Sequence, residues 1–162
     1  MEENWTDALD HFSEVWQRVQ GRETALKPCE APPAHETMED FIRSEAAGER
    51  FYNALARLTE GRSADTLQAM ASECRQNLKR LQTEYFMDTG DTLVPETEPL
   101  PYDGLLGYLR RAYLREGTAE RAYLNAAASA DSGGRSELYG ELSRLCGRRR
   151  QKIYELVGRM LG

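Results

Sequence analysis

Histidine and cysteine are scarce: the 162 residues hold two histidines, His11 and His35, and three cysteines, Cys29, Cys74 and Cys146. So few imidazoles leave no Ser-His-Asp or Cys-His constellation, and cysteines without Cys-x-x-Cys spacing offer no zinc or rubredoxin-type iron site. A Gly-rich phosphate loop is also missing. Apolar runs fall well short of the roughly eighteen residues that a spanning helix needs, and residues 1–10 lack the basic and apolar segments of a secretory signal. Period-two alternation, the mark of half-buried strands, is nearly absent. The net charge of -6 argues against a general nucleic-acid partner, because phosphate contacts need clustered cations. Arg148, Arg149 and Arg150 do not overturn this, since helical neighbours diverge by about 100° each. Isolated thiols fit a reducing compartment, so a cytoplasmic location is expected, with no membrane or nucleic-acid partner.

What the chain has in plenty is Ala, Leu, Glu, Gln and Arg, a composition that favours helix and predicts an all-α fold. Residues 1–20 carry Trp5, Leu9, Phe12, Val15, Trp16 and Val19 on one face of an amphipathic N-terminal helix. Pro28, Pro32 and Pro33 mark residues 21–37 as an extended linker, with Cys29 an incidental thiol. Residues 38–162 then divide into four helices, expected over 38–58, 64–87, 102–130 and from 138 to 161. Gly61, Arg62 and Ser63 read as a turn with Ser63 as N-cap, and Asp131, Ser132, Gly133 and Gly134 as another. Short turns make each pair an antiparallel hairpin. The segment 91–101 holds three prolines and, extended, reaches roughly 36 Å, enough to run beside a helix of about 30 Å. The third helix can therefore start at the far end of a four-helix bundle with one long crossover, which is the ferritin-like topology.

Polar residues interrupt the apolar stripes at matching places. Glu45 and Glu116 sit mid-stripe on the first and third helices, and the stripe of the fourth carries Cys146 and Arg149 inward. A buried guanidinium must be paired with acids, and these two glutamates are the acids available. An offset of 71 residues pairs Glu45 with Glu116, Glu49 with Glu120, Arg50 with Arg121 and Tyr52 with Tyr123. An offset of 72 pairs Cys74 with Cys146 and Asn77 with Arg149. Each hairpin reads as a copy of the other.

On these residues the chain resembles the rubrerythrin branch of the ferritin-like proteins, over about 38–161. The Glu-to-Tyr spacing of Glu45 to Tyr52 and Glu116 to Tyr123 is similar to that family's, as is the run from Arg80 to Phe86 that ends at Thr89 and Gly90. The resemblance implies a glutamate from the first helix of each hairpin and a Glu-x-x-His pair from the second, together holding two iron or manganese ions. In their place this chain has Cys74-x-x-Asn77 and Cys146-x-x-Arg149, so both imidazoles and both accompanying acids are replaced. The two histidines lie outside the bundle helices.

Three readings of the interior follow. In the favoured one Arg149 replaces metal charge between Glu45 and Glu116, giving a non-catalytic pseudo-site with no cofactor and a structural or binding role. In the second, Glu45 and Glu116, with Glu49 and Glu120 nearby and thiolates from Cys74 and Cys146, hold iron or manganese for peroxide or oxygen chemistry. In the third, Cys74 and Cys146 approach for a reversible disulfide and serve as a thiol redox sensor. Tyr52 and Tyr123 are expected to hydrogen-bond the buried carboxylates, and a homodimer is the expected assembly.

Overall fold

The computed structural model describes residues 34–96 and 98–162. The expected N-terminal helix, Cys29 and most of the proline linker lie outside them. Four helices make up the described chain: α1 (Ala34–Arg57), α2 (Gly61–Thr89), α3 (Leu105–Ala128) and α4 (Gly133–Leu161). All of its regular structure is helical.

Several boundaries differ from expectation, each for a local reason. Helix α1 begins at Ala34, so the last four residues of the predicted linker are helical and His35, expected outside the bundle helices, lies in the first turn of α1; a proline just before a helix is compatible with its start. Helix α2 starts at Gly61 rather than after Ser63, with Glu60 at the N-cap and no side-chain cap bond. Gly61 has φ 57°, a conformation open to glycine, and this lets 58–60 complete the reversal alone. Ser63 therefore lies in the first helical turn instead of capping it. At the other end Gly90 takes φ 74° and its N–H donates to Phe86 O at 2.8 Å, a left-handed C-cap. Helix α3 waits until Leu105 because Gly104, at φ 93°, is still outside helical space. Ser132 caps α4, its Oγ accepting from Arg135 N at 3.3 Å.

Each short turn folds its two helices side by side, and the hairpins meet α1 against α3 and α2 against α4. Side-chain pairs give the directions. Tyr52 reaches Glu116 while Tyr123 reaches Glu45, so α3 runs antiparallel to α1. Arg80 bonds Glu141 and Arg135 bonds Asp88, so α4 runs antiparallel to α2. Because α2 ends beside the start of α1 and α3 starts beside its end, the connection 91–104 has to travel the length of the bundle. It is held on the way: Gln82 Nε2 donates to Leu93 O at 2.9 Å, Arg50 Nη1 to Glu98 O at 3.2 Å and Tyr108 OH to Leu100 O at 3.2 Å.

The core has two apolar layers with a polar one between. Leu55, Leu67, Met70, Leu109, Ile153 and Leu156 fill one end, and Met38, Ile42, Leu81, Leu138 and Leu142 the other. Leu78, Leu105, Leu145, Val157 and Met160, expected to be inside, are only half-buried at the margins. Between the layers lie the buried polar residues Glu45, Asn77, Glu116 and Arg149, one from each helix.

Candidate functional site

Arg149 is 2% exposed, and its guanidinium makes contacts in three directions. Nη1 donates to Glu116 Oε1 and Oε2 at 3.3 and 3.4 Å and to Cys74 Sγ at 3.2 Å. Nη2 donates to Glu45 Oε2 at 3.3 Å. Nε faces Glu73 Oε2 at 3.5 Å, and neither of these two buried atoms has a hydrogen-bond partner. Glu73 is held from the other side by Lys152 Nζ at 3.1 Å, so a charged chain runs from the centre to the surface. A planar fork with five donors can serve several acceptors at once, which an ammonium on a flexible stem cannot do as rigidly.

The carboxylates are also served by neutral donors. Tyr123 OH donates to Glu45 Oε1 at 3.0 Å and Asn77 Nδ2 to Glu45 Oε2 at 3.4 Å. Tyr52 OH donates to Glu116 Oε1. Each tyrosine thus binds the glutamate of the other hairpin, an exchange that a duplicated hairpin with an approximate two-fold produces naturally. Burial, then the charge of Glu116, raises Tyr52 well above the ordinary phenol value; burial and Glu45 do the same for Tyr123. Both stay protonated donors across ordinary pH. For Arg149 burial acts to lower the value, but Glu45 and then Glu116 outweigh it and hold the guanidinium firmly charged.

A second cation, which stripe reading alone misses, completes the balance. Arg115 Nη2 lies 3.4 Å from Glu116 Oε1, with its guanidinium 5.4 Å from the ring centres of both Phe51 and Tyr52. It enters because Gly48 stands opposite on α1. A Cβ there would come within 2.9 Å of both Arg115 Nη2 and Cys74 Sγ. Two buried acids therefore face two guanidinia. Helical geometry points Arg115 away from the stripe that carries Glu116, one residue on, so only its long flexible reach brings it back. Gly48 in a buried helical position was the available sequence signal.

Of the sequence-predicted site residues, Glu45, Glu116, Arg149, Cys74, Asn77, Tyr52 and Tyr123 meet through these contacts, and Cys146 is fully buried beside Glu116, within reach of the Arg149 charge. Glu49 and Glu120 do not join them: Glu49 pairs with Arg75 at 2.6 Å and Glu120 with Arg150 at 3.2 Å. Those acids have cationic partners nearer the surface. Cys74 and Cys146 are free thiols, one in each apolar layer. Burial pushes both thiols up; Arg149 opposes this at each without overcoming it, and Glu116 adds to it at Cys146. Neutral buried thiols are poor nucleophiles and poor metal ligands. Among the described residues no group of three or more His, Cys, Asp or Glu side chains is arranged to hold a metal ion, and no helix is long and apolar enough to cross a membrane.

No family model matches the chain, and no curated protein matches it. Among solved structures a hypothetical protein from Pyrococcus furiosus is similar, with a TM-score of 0.73 and 17% identity over 83% of this chain and 94% of that one. At that identity the likeness establishes a shared all-α helical fold.

Proposed function

We propose that this chain is a ferritin-like bundle whose centre is held by its own cations in place of metal ions, and that it works as a non-catalytic scaffold or binding protein through its surface. The observation that carries this reading is the Arg149 guanidinium, within 3.3 Å of a carboxylate oxygen of both Glu45 and Glu116. Iron or manganese needs lone pairs at its ligands. Here N–H and O–H donors aim at the carboxylates, and the place that the rubrerythrin resemblance gives to an imidazole holds a fixed positive charge. The donor set does not fit a pair of divalent ions.

Electrostatics supports the same conclusion. Two glutamates facing each other in a low-dielectric layer repel, and a bundle that buries them needs about as much positive charge as negative nearby. Arg149 and Arg115 supply it from within the chain. Protein purified without chelator from cells supplied with iron, manganese and zinc should contain well under one metal ion per chain by elemental analysis. Stoichiometric metal that disappears in a Glu45→Ala, Glu116→Ala double variant would overturn the reading in favour of a metal-dependent oxidoreductase.

A further inference from the structure

The internal repeat makes one hairpin a reference for the other, and the outer surfaces of the two differ. Across the first hairpin runs the connection 91–104, tied down by Gln82 at Leu93 O and by Arg50 at Glu98 O, with the Leu93 side chain packed against the same core layer that Tyr85 and Leu78 border. The offsets of 72 and 71 carry Gln82 to Tyr154 and Arg50 to Arg121. Both counterparts are surface residues with long-reaching donors, and neither makes a hydrogen bond or ion pair among the described residues; Tyr154 is 65% exposed. Tyr85 corresponds to Val157, and where Leu93 covers the first hairpin the second has an open apolar cleft of about 390 Å³. Leu106, Tyr113, Ile153, Tyr154, Val157 and Leu161 line it, with Arg110 at its rim. No described residue covers this cleft, and Leu106 and Leu114 continue the apolar surface along α3.

We propose that the α3–α4 face binds an extended, proline-containing, acidic segment of a partner protein, laid across it as the connection lies across α1 and α2. The partner inserts one leucine-sized side chain between Tyr154 and Val157. Its main-chain carbonyl there accepts from the Tyr154 hydroxyl, and a carbonyl about five residues on accepts from Arg121, matching the Leu93-to-Glu98 interval of the built-in strap. The acidic character follows from charge: Arg110 and Arg121 both lie exposed along this face without a carboxylate partner among the described residues. A preformed strap of this kind loses little entropy on docking, since proline has already fixed part of its backbone. The proposal is independent of what the bundle centre holds.

The test uses the full chain, isotope-labelled, titrated with a synthetic peptide of the sequence from Asp91 to Pro101. Backbone resonance shifts are expected over 106–121 and 150–161. Tyr154→Ala and Arg121→Ala, both surface changes that leave the fold intact by circular dichroism, should each weaken binding by up to about tenfold, the loss of one well-placed hydrogen bond. Absence of shifts at saturating peptide, shifts confined to the first hairpin, or binding unchanged in both variants would overturn the proposal. So would light scattering that finds this face already occupied by a second copy, shown by a dimer that Tyr154→Glu converts to monomer.

Discussion

Replacing Arg149 with leucine removes the one cation that touches both inward acids, and the structure says how unevenly the two will suffer. Glu116 keeps Arg115 at 3.4 Å and the Tyr52 hydroxyl. Glu45, 3% exposed, keeps only the neutral donors Tyr123 and Asn77. A pair of unit charges about 4 Å apart attracts by roughly 4 kcal/mol at an effective dielectric of 20. Stranding one buried member of such a group costs about 3–5 kcal/mol in comparable cases. With an unfolding entropy of roughly 2.1 cal/mol/K per residue over about 130 residues, that corresponds to a melting point lower by about 11–18 °C. Thermal unfolding followed by far-UV circular dichroism at neutral pH measures it directly. The asymmetry adds a sharper check: in the Arg149→Leu background, Glu45→Gln should recover more of the lost stability than Glu116→Gln. An Arg149→Leu melting point within about 2 °C of the parent, which is under 1 kcal/mol, or better rescue by Glu116→Gln, would refute the reasoning.

Other outcomes follow from the same geometry. Replacing the central ions together, as Glu45→Gln, Glu116→Gln and Arg149→Met, should leave the protein nearer the parent in stability than Arg149→Leu alone, because no buried charge is then left without a partner. Gly48→Ala should destabilise by about 1–3 kcal/mol in denaturant titration, since its Cβ would press on Arg115 and Cys74. In contrast, Gly140→Ala, whose Cβ meets only Arg144 Nη1 at 3.7 Å, should stabilise by about 0.5–1 kcal/mol through helix propensity. Stability should also fall at alkaline pH. Cys74 and Cys146 are raised from 9.0, and Tyr52 and Tyr123 from 10.0, so the folded chain holds protons that the unfolded chain releases. Their contribution is complete below about pH 9 and is lost as pH rises toward the folded values, about 3–4 kcal/mol in all by pH 10. Cys74→Ala with Cys146→Ala should flatten most of that slope in melting curves taken from pH 7 to pH 10; an unchanged slope would contradict the burial of neutral thiols.

The repeat was legible in the sequence because polar residues in an apolar stripe stand out against their neighbours. Glu45, Glu116 and Arg149 are conspicuous for that reason, and their shared interior follows from the rule that a buried charge must be paired. The length of the connection likewise gave its course, since only an extended chain of that reach lets α3 begin where α1 ends. Helix starts were less legible: backbone dihedrals at Gly61 and Gly104, which composition does not specify, set where α2 and α3 begin. The missed members of the centre, Arg115 and Glu73, share one cause. Each precedes a stripe residue, Glu116 and Cys74 respectively, so periodicity assigns it outward, and only the reach of a long side chain returns its charged end to the interior.

Crystals grown with excess manganese, with anomalous diffraction collected at a wavelength where the metal scatters strongly, test the central claim most directly. The account predicts guanidinium density for Arg149 between Glu45 and Glu116 and no anomalous peak there. An anomalous peak between the two carboxylates, with Arg149 turned away toward Glu73, would contradict it.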